Sequence, residues 1–240
     1  MTVRMVLCLV LVCLLGPMQA RAQDAAAPVP AGGVTPAEPG AGPDPAAPAV
    51  AADVSMAPEF EALLSRVRDS DPSVDFGELR RLYAESPTYA VWADELERDL
   101  VAAAASGAYD DALRIARDIL NRNYLNLEAH FAGAVACEGL ADRRCADHHV
   151  YVARGILGSV QATGDGTSMA SAFMVVATQE EYALARIRGF DVVQQELVRA
   201  DDGHFFDALR VRSIDTGDER VIYFNVDAVI AAMRRVIRPQ

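Results

Sequence analysis

The stretch Thr163-Gly164-Asp165-Gly166-Thr167-Ser168, called the central loop below, divides the chain into two parts with different hydrophobic patterns. Before it, apolar residues recur at helical spacing, and after it, short alternating runs are typical of strands. Its glycines can adopt a positive φ, and such a loop can present N–H groups and oxygens to a ligand. We therefore predict that the loop joins a helical half to a strand half and is the best candidate for a site.

The charge balance narrows the classes of partner. The chain has 240 residues and a formal net charge of −12 at pH 7, with 22 basic against 34 acidic residues. An acidic chain repels phosphate backbones and anionic lipid surfaces. We therefore expect no nucleic acid as a partner and no binding to an anionic membrane surface.

Residues 1–22 have the pattern of a secretory signal peptide. Arg4 supplies a positive start, and the apolar run Met5–Leu15 is shorter than the roughly 20 residues that span a bilayer. Small residues at Ala20 and Ala22 indicate cleavage before Gln23. We expect a periplasmic or secreted protein with no stable membrane insertion after cleavage; an uncleaved anchor is the alternative.

The remaining chain consists of a tether and one folded domain. Residues 23–58 are rich in proline, alanine and glycine and contain no aromatic residue, which predicts a disordered tether. Residues 59–240 have the length of a single domain. Within it we expect a helical, repeat-like half at 59–162 and a loop with an α+β half at 163–240.

Periodicity and capping residues predict helices at about 60–67, 76–83, 91–105, 109–122, 127–140 and 142–162. The segment Gly107–Leu113 resembles the Gly-x-Tyr-x-x-Ala-Leu pattern of a tetratricopeptide repeat, and Ala112 recurs as Ala146 at the 34-residue period of that repeat. A free-standing solenoid needs about three repeats, and the match covers fewer. These helices must therefore bury a face against the strand half.

The strand half predicts a small sheet with two helices. Strands are expected at Ala172–Ala177, Asp191–Arg199, Phe205–Ser213 and Arg220–Val226. A helix is expected at Gln179–Arg188, with Glu180 and Glu181 favourably placed at its positive end, and another at Asp227–Ile237. The fold class is α+β, with tetratricopeptide-like helical hairpins followed by a mostly antiparallel sheet.

Cys137 and Cys145 are the cysteines left after signal cleavage, one on each side of a predicted helix–helix turn. In an oxidising compartment such a pair is a disulfide candidate. The alternative is two reduced cysteines packed as small apolar side chains.

Histidines and hydroxyls supply two catalytic hypotheses. His130 and His148 lie on neighbouring predicted helices, and with Asp165 they form a ligand set for a transition metal. Ser168, His148 and Asp165 have the residue types of a serine hydrolase, although the loop lacks the Gly-x-Ser-x-Gly turn. The alternatives are histidines bonded within the interface between the halves and a loop that forms Asx and Ser/Thr turns.

Further oxygen and nitrogen groups complete the candidate site. Asp165 and Thr167 offer hard oxygens of the kind that bind calcium, without the remaining carboxylates of a calcium loop. His204 has the position of a turn residue, and Asn225 projects to one face of its strand. The candidate ligand contacts are Asp165, Thr167, Ser168, His130, His148, His204 and Asn225.

A set of residues spread over about 71–235 carries a family resemblance. They are Asp75, Phe76, Leu79, Arg80, Tyr83, Pro87, Tyr89, Ala129, His130, Gly164–Ser168, Ala172, Phe173, Glu180–Tyr182, Gly203, His204, Asp207 and Tyr223–Val226. Their order resembles DUF4919, a family of secreted bacterial proteins known only as a domain of unknown function. The resemblance implies a repeat-like helical half and a small sheet, with no known activity.

We expect a binding or protein-interaction module with its site at Gly164–Ser168. Its partner would be an envelope protein or a small ligand, and no cofactor is indicated. One alternative is a metal-dependent or serine hydrolase that uses Asp165, Ser168, His130 and His148. A structural envelope protein without a small-molecule site is the other alternative.

Overall fold

A computed structural model describes residues 57–86, Tyr89 and 95–237. The predicted signal peptide, the tether up to residue 56 and the first residues of the helix expected at 91–105 lie outside this part of the chain. No helix within the described part combines the length and the apolar character that are needed to cross a membrane.

The helical half begins each of three helices with a side-chain cap. Asp75, Asn126 and Asp142 accept hydrogen bonds from backbone N–H groups three residues further on. Such caps satisfy an N–H that has no partner within the helix. The helices are α1 (Pro58–Arg68), α2 (Phe76–Glu85), α3 (Glu97–Ser106), α4 (Tyr109–Arg122), α5 (Leu127–Gly139) and α6 (Arg143–Gln161).

The strand half forms one sheet in the order β1-β4-β3-β2, in which β1 runs parallel to β4 and the other neighbours are antiparallel. The described residues therefore form an α+β fold, as expected. The elements are β1 (Phe173–Met174), α7 (Thr178–Ile187), β2 (Phe190–Arg199), β3 (Phe205–Ser213), β4 (Glu219–Asn225) and α8 (Asp227–Ile237).

The strand expected at Ala172–Ala177 was predicted too long. Only Phe173 and Met174 form β1. The Val176 N–H donates to the carboxylate of Glu180 at 2.9 Å, and this bond turns the chain into α7. Because Glu180 is the third residue of α7, the contact resembles the side-chain half of a capping box.

One apolar core extends across both halves. Phe76, Leu79 and Ile156 of the helical half belong to the same buried cluster as Phe173 and Leu209 of the strand half. The expectation that the helices bury a face on the sheet is thereby confirmed. A second cluster lies among α3, α4 and α5. The identification of these helices as tetratricopeptide-like stays a prediction.

Candidate functional site

The central loop bonds to itself and to Ser171, three residues beyond its end. The Asp165 carboxylate accepts hydrogen bonds from the Thr167 N–H and hydroxyl, both at 2.8 Å, and from the Ser171 hydroxyl at 2.6 Å. These bonds, with that of Ser171 first, lower the pKa of Asp165 to about 2. The Ser168 hydroxyl lies 3.0 Å from the Ser171 hydroxyl. The loop thus contains the Asx and Ser/Thr turns that were considered as the structural alternative.

The backbone of the loop is tied to the sheet. The N–H groups of Asp165 and Gly166 donate to the Ser171 carbonyl at 3.0 and 2.8 Å, and the Tyr223 N–H of β4 donates to the Gly166 carbonyl at 2.9 Å. Gly166 has φ 73°, and a Cβ there would lie 2.5 Å from the ring of Phe173. Only glycine fits this left-handed position without strain. The loop therefore works as a fixed joint between α6 and the sheet.

His204 and Asn225 bond to Asp227 at the start of α8. The His204 Nδ1 lies 2.6 Å from Asp227 Oδ2, and the Asn225 amide donates to the same oxygen at 3.1 Å. The hydrogen bond to Asp227 raises the pKa of the exposed His204. These two residues thus form a polar contact at the end of the sheet rather than a group with Asp165.

The other histidines form a cluster between α5 and α6, which we call the histidine cluster: Tyr124, His130, His148 and His149. His130 Nδ1 lies 3.0 Å from His149 Nδ1, and His130 Nε2 lies 2.8 Å from the Tyr124 carbonyl oxygen. His148 Nε2 lies 2.8 Å from the Tyr124 hydroxyl, and its Nδ1 lies 2.7 Å from the hydroxyl of Ser70. Tyr124 therefore connects His130 to His148, and His149 is the direct partner of His130.

Burial keeps this cluster uncharged. Desolvation, together with the neighbouring His149, lowers the pKa of the fully buried His130 to about 3. Desolvation also lowers the pKa of His149 to about 4. Both rings are neutral at pH 7, since removing a charged imidazole from water is unfavourable without an anionic partner.

The hydrogen-bond partners assign the tautomers of the two rings. The Tyr124 carbonyl only accepts, so His130 carries its proton on Nε2 and its Nδ1 is an acceptor. His149 must then donate from Nδ1 to His130, which leaves the lone pair of His149 on Nε2.

Cys137 and Cys145 lie beside the histidine cluster and are joined by a disulfide with a Cα–Cα distance of 5.7 Å. Their sulfur atoms and a ring nitrogen of His149 all lie within 4.8 Å of one another. Within the part of the chain that the structure describes, these three residues form the one group with the spacing of metal ligands. The Cys-x-x-x-His spacing from 145 to 149 is a sequence signal for this group.

The predicted triad is not assembled. The hydroxyl of Ser168 contacts Ser171, while His148 contacts Ser70 and Tyr124 in the helical half. The Asp165 carboxylate accepts its hydrogen bonds from Thr167 and Ser171 and does not join His130 and His148.

A buried ion pair joins the two halves at another place. Arg80 of α2 donates from Nε and Nη2 to the two carboxylate oxygens of Glu180 at 2.8 and 2.7 Å. Arg80 also donates to the Ser159 hydroxyl at 3.2 Å and to the Met174 carbonyl at 2.9 Å. Both charges are therefore paired and hydrogen-bonded, which is the condition for burying them.

The neighbouring Glu181 belongs to a different arrangement, which we call the carboxyl pair: Glu181 and Asp207. Glu181 is fully buried. Neither of its carboxylate oxygens has a hydrogen-bond partner among the described residues. Burial first, and then the nearby Asp207, raises the pKa of Glu181 well above its ordinary value. Burial also raises the pKa of Asp207, whose carboxylate accepts a hydrogen bond from the Gln195 amide.

Sequence reasoning missed the carboxyl pair and the Arg80–Glu180 pair. Glu180 and Glu181 were interpreted as residues that favour the start of a helix, and only Glu180 has such a contact. Their main partners, Arg80 and Asp207, lie on elements that are distant in sequence. No local spacing of residues therefore predicts these contacts.

Comparison with known proteins gives a family and no more. Residues 52–235 match the family model described as a domain of unknown function, DUF4919. No curated protein and no solved structure matches the chain. The matched span contains the central loop, the histidine cluster, the carboxyl pair and the Arg80–Glu180 pair. The chain therefore belongs to the DUF4919 family, whose function is unknown.

Proposed function

We propose that this protein is a protein-interaction module whose edge strand β2 pairs with the β2 strand of a second copy. The observation that supports the proposal is an edge of the sheet at which no strand of the described residues pairs. β2 is the last strand in the sheet order and is hydrogen-bonded to β3 on one side. An unpaired edge offers backbone N–H and C=O groups to another strand.

The exposure of β2 supports the same proposal. Residues 193–197 are all exposed, and two of them are apolar: Val193 is 40% and Leu197 is 55% exposed. A long strand edge with apolar side chains favours association. The bulge between Val192 and Gln194 twists one end of the edge, which disfavours strands that do not match its shape.

The sequence of β2 is complementary to itself. Antiparallel pairing about a two-fold axis at Gln195 places Asp191 opposite Arg199. It also places Val192 opposite Val198, and Val193 opposite Leu197. Opposite charges and apolar pairs across strands stabilise a sheet by about 0.2–1 kcal/mol each. This self-complementarity indicates a second copy as the partner. In a two-fold interface the same surface of both copies meets, so each of these pairs occurs twice.

In this proposal the central loop holds the sheet in place and does not contact the partner. The proposal also retains export to the periplasm or the medium, which the pattern of residues 1–22 supports. The Cys137–Cys145 bridge is consistent with an oxidising compartment.

The test is the oligomeric state of the purified protein by sedimentation velocity over a range of concentrations. We expect a dimer for the wild type and a monomer for Leu197→Arg, because the charged side chain would lie against the apolar Val193 of the second copy. Arg199→Asp should weaken the dimer, and the double exchange Asp191→Arg/Arg199→Asp should restore it.

Val221→Arg is the matched control, because Val221 is also exposed but lies on β4, away from the edge. It should remain dimeric. A wild type that stays monomeric at every concentration would refute pairing with a second copy. An unchanged dimer in Leu197→Arg would place the interface elsewhere.

A further inference from the structure

We infer that the reduced chain binds a soft divalent cation such as Zn²⁺ through Cys137, Cys145 and His149, and that the disulfide closes this site. The inference is independent of pairing through β2. It starts from the position of the three ligand atoms, which lie within 4.8 Å of one another.

Two helices supply the ligands. Cys145 and His149 are one turn apart on α6 and share a face of that helix, a spacing that suits two ligands of one cation. Cys137 comes from α5, whose contact with α6 brings the three side chains together. Ligands on packed helices keep their geometry better than ligands on loops.

Gly133 makes room for the imidazole. A Cβ at Gly133 would lie 2.7 Å from both Cε1 and Nε2 of His149, closer than side-chain atoms approach one another. The ring therefore rests directly on the backbone of α5, one turn before Cys137. Any larger residue at 133 would push His149 away from the sulfur atoms.

His130 acts as a positioning residue for His149. The Tyr124 carbonyl, His130 and His149 form a chain of hydrogen bonds that leaves a lone pair on His149 Nε2. Within the described residues this nitrogen has no hydrogen-bond partner. Metal-binding histidines commonly donate their other N–H to such a partner, which sets the tautomer and the ring orientation.

The chemistry requires a reductant and releases protons. A dithiol reductant transfers two electrons and two protons to the disulfide; the S–S bond breaks, two thiols form, and the reductant becomes a disulfide. The cation then displaces both thiol protons and binds the two thiolates and the imidazole. Thiolate and imidazole ligands select zinc over calcium or magnesium. Water completes the four ligands that zinc prefers.

The test compares the oxidised protein with protein that has been reduced and freed of reductant. Calorimetric titration with Zn²⁺ should show one bound cation per reduced chain and none per oxidised chain. Co²⁺ should give the absorption of thiolate-to-cobalt charge transfer in the reduced protein alone. His149→Ala should weaken Zn²⁺ binding at least tenfold, and His130→Ala should weaken it by about 10–100-fold.

His204→Ala is the matched control, since this exposed histidine bonds to Asp227 and is not part of the group formed by Cys137, Cys145 and His149. Its Zn²⁺ affinity should equal that of the wild type. A second measurement uses the reduced wild type alone. Bound Zn²⁺ should slow the alkylation of its two thiols. Equal alkylation rates with and without Zn²⁺, or equal binding by the oxidised protein, would overturn the inference. Unchanged binding by a folded His149→Ala variant would remove His149 from the site.

Discussion

Two buried regions on either side of α7 show opposite ways of keeping a carboxyl group inside a protein. Where α2 meets α7, Glu180 forms an ion pair with Arg80 and accepts a further hydrogen bond from the Val176 N–H. Between α7 and the sheet, Glu181 has no cation beside it, and burial together with the nearby carboxyl of Asp207 raises its pKa well above the ordinary value. Because neighbours on a helix point about 100° apart, two adjacent glutamates meet entirely different environments. Their identical chemistry therefore predicts neither charge state.

The largest effect is expected from removing the cation of the first region. Arg80→Met leaves Glu180 as an uncompensated buried charge, which should lower the free energy of unfolding by about 3–5 kcal/mol. Urea unfolding at pH 7 measures this loss. The double variant Arg80→Met/Glu180→Leu should recover most of it, since both charges are then absent.

Arg81→Met is the control for the ion pair. Arg81 bonds to Glu78 and Glu85 on the exposed side of α2, and its replacement should change stability little. If Arg80→Met and Arg81→Met lower the free energy of unfolding equally, burial does not explain the effect of Arg80.

The histidine cluster extends the comparison to a base. His130 has a folded pKa of about 3, below its unfolded value near 6.5, so the unfolded chain binds the additional proton. Stability is therefore complete above the unfolded pKa and is lost as the pH falls toward the folded value. When the pH falls from 7 to 5, the free energy of unfolding of the oxidised protein should decrease by about 2 kcal/mol because of His130.

His130→Gln should reduce this acid sensitivity when unfolding is measured by urea at both pH values. His204→Gln should not reduce it, because the pKa of His204 is shifted upward. If His130→Gln and the wild type lose the same free energy of unfolding between pH 7 and pH 5, a neutral buried His130 is contradicted.

The carboxyl pair should respond with the opposite sign. The folded pKa of Glu181 is raised, so its contribution is complete below the unfolded value and is lost as the pH rises. Glu181→Gln removes the titrating carboxyl and offers an amide donor to Asp207. It should raise the free energy of unfolding at pH 8 by about 1 kcal/mol and change it less at pH 5.

Glu61→Gln, at an exposed position on α1, is the matched control and should show no such dependence on pH. If Glu181→Gln destabilises the protein more at pH 8 than at pH 5, Glu181 is ionised in the fold and the comparison with Glu180 fails.

The smallest effect is expected in the exposed central loop. Ser168 caps a short turn by accepting a bond from the Ser171 N–H at 3.3 Å. Ser168→Ala should cost about 0.5 kcal/mol, the low end for such a cap, in thermal or urea unfolding. A serine-directed probe that labels the wild type but not this variant would restore the hydrolase hypothesis.

Elements with local signals were predicted well. The caps Asp75 and Asn126 and the apolar periodicity located α2 and α5, and the turns around Gly203 and Gly217 separated β2, β3 and β4 correctly. The end of β1 was not predictable in this way. It depends on the Glu180 side chain reaching back to Val176, and strand propensity alone contains no such information.

In the candidate site too, local contacts were predictable from the sequence and contacts between elements were not. Thr167, Ser168 and Asp165 form the compact turn that their residue types indicate. His130 was predicted to meet His148 and Asp165, yet its nearest histidine is His149. The rotation of α5 against α6 decides which ring is reached, and the packing of both helices determines that rotation.

By itself the sequence determined the α+β class, the order of the helices and strands and the loop that separates them, because caps, turns and periodicity act over a few residues. Only the tertiary structure decided the charge states and partners of the buried groups. Arg80 meets Glu180 across 100 residues of chain, and Glu181 meets Asp207 from another element. Burial in a shared core and the Coulomb energy of such pairs exist only after the two halves have packed together.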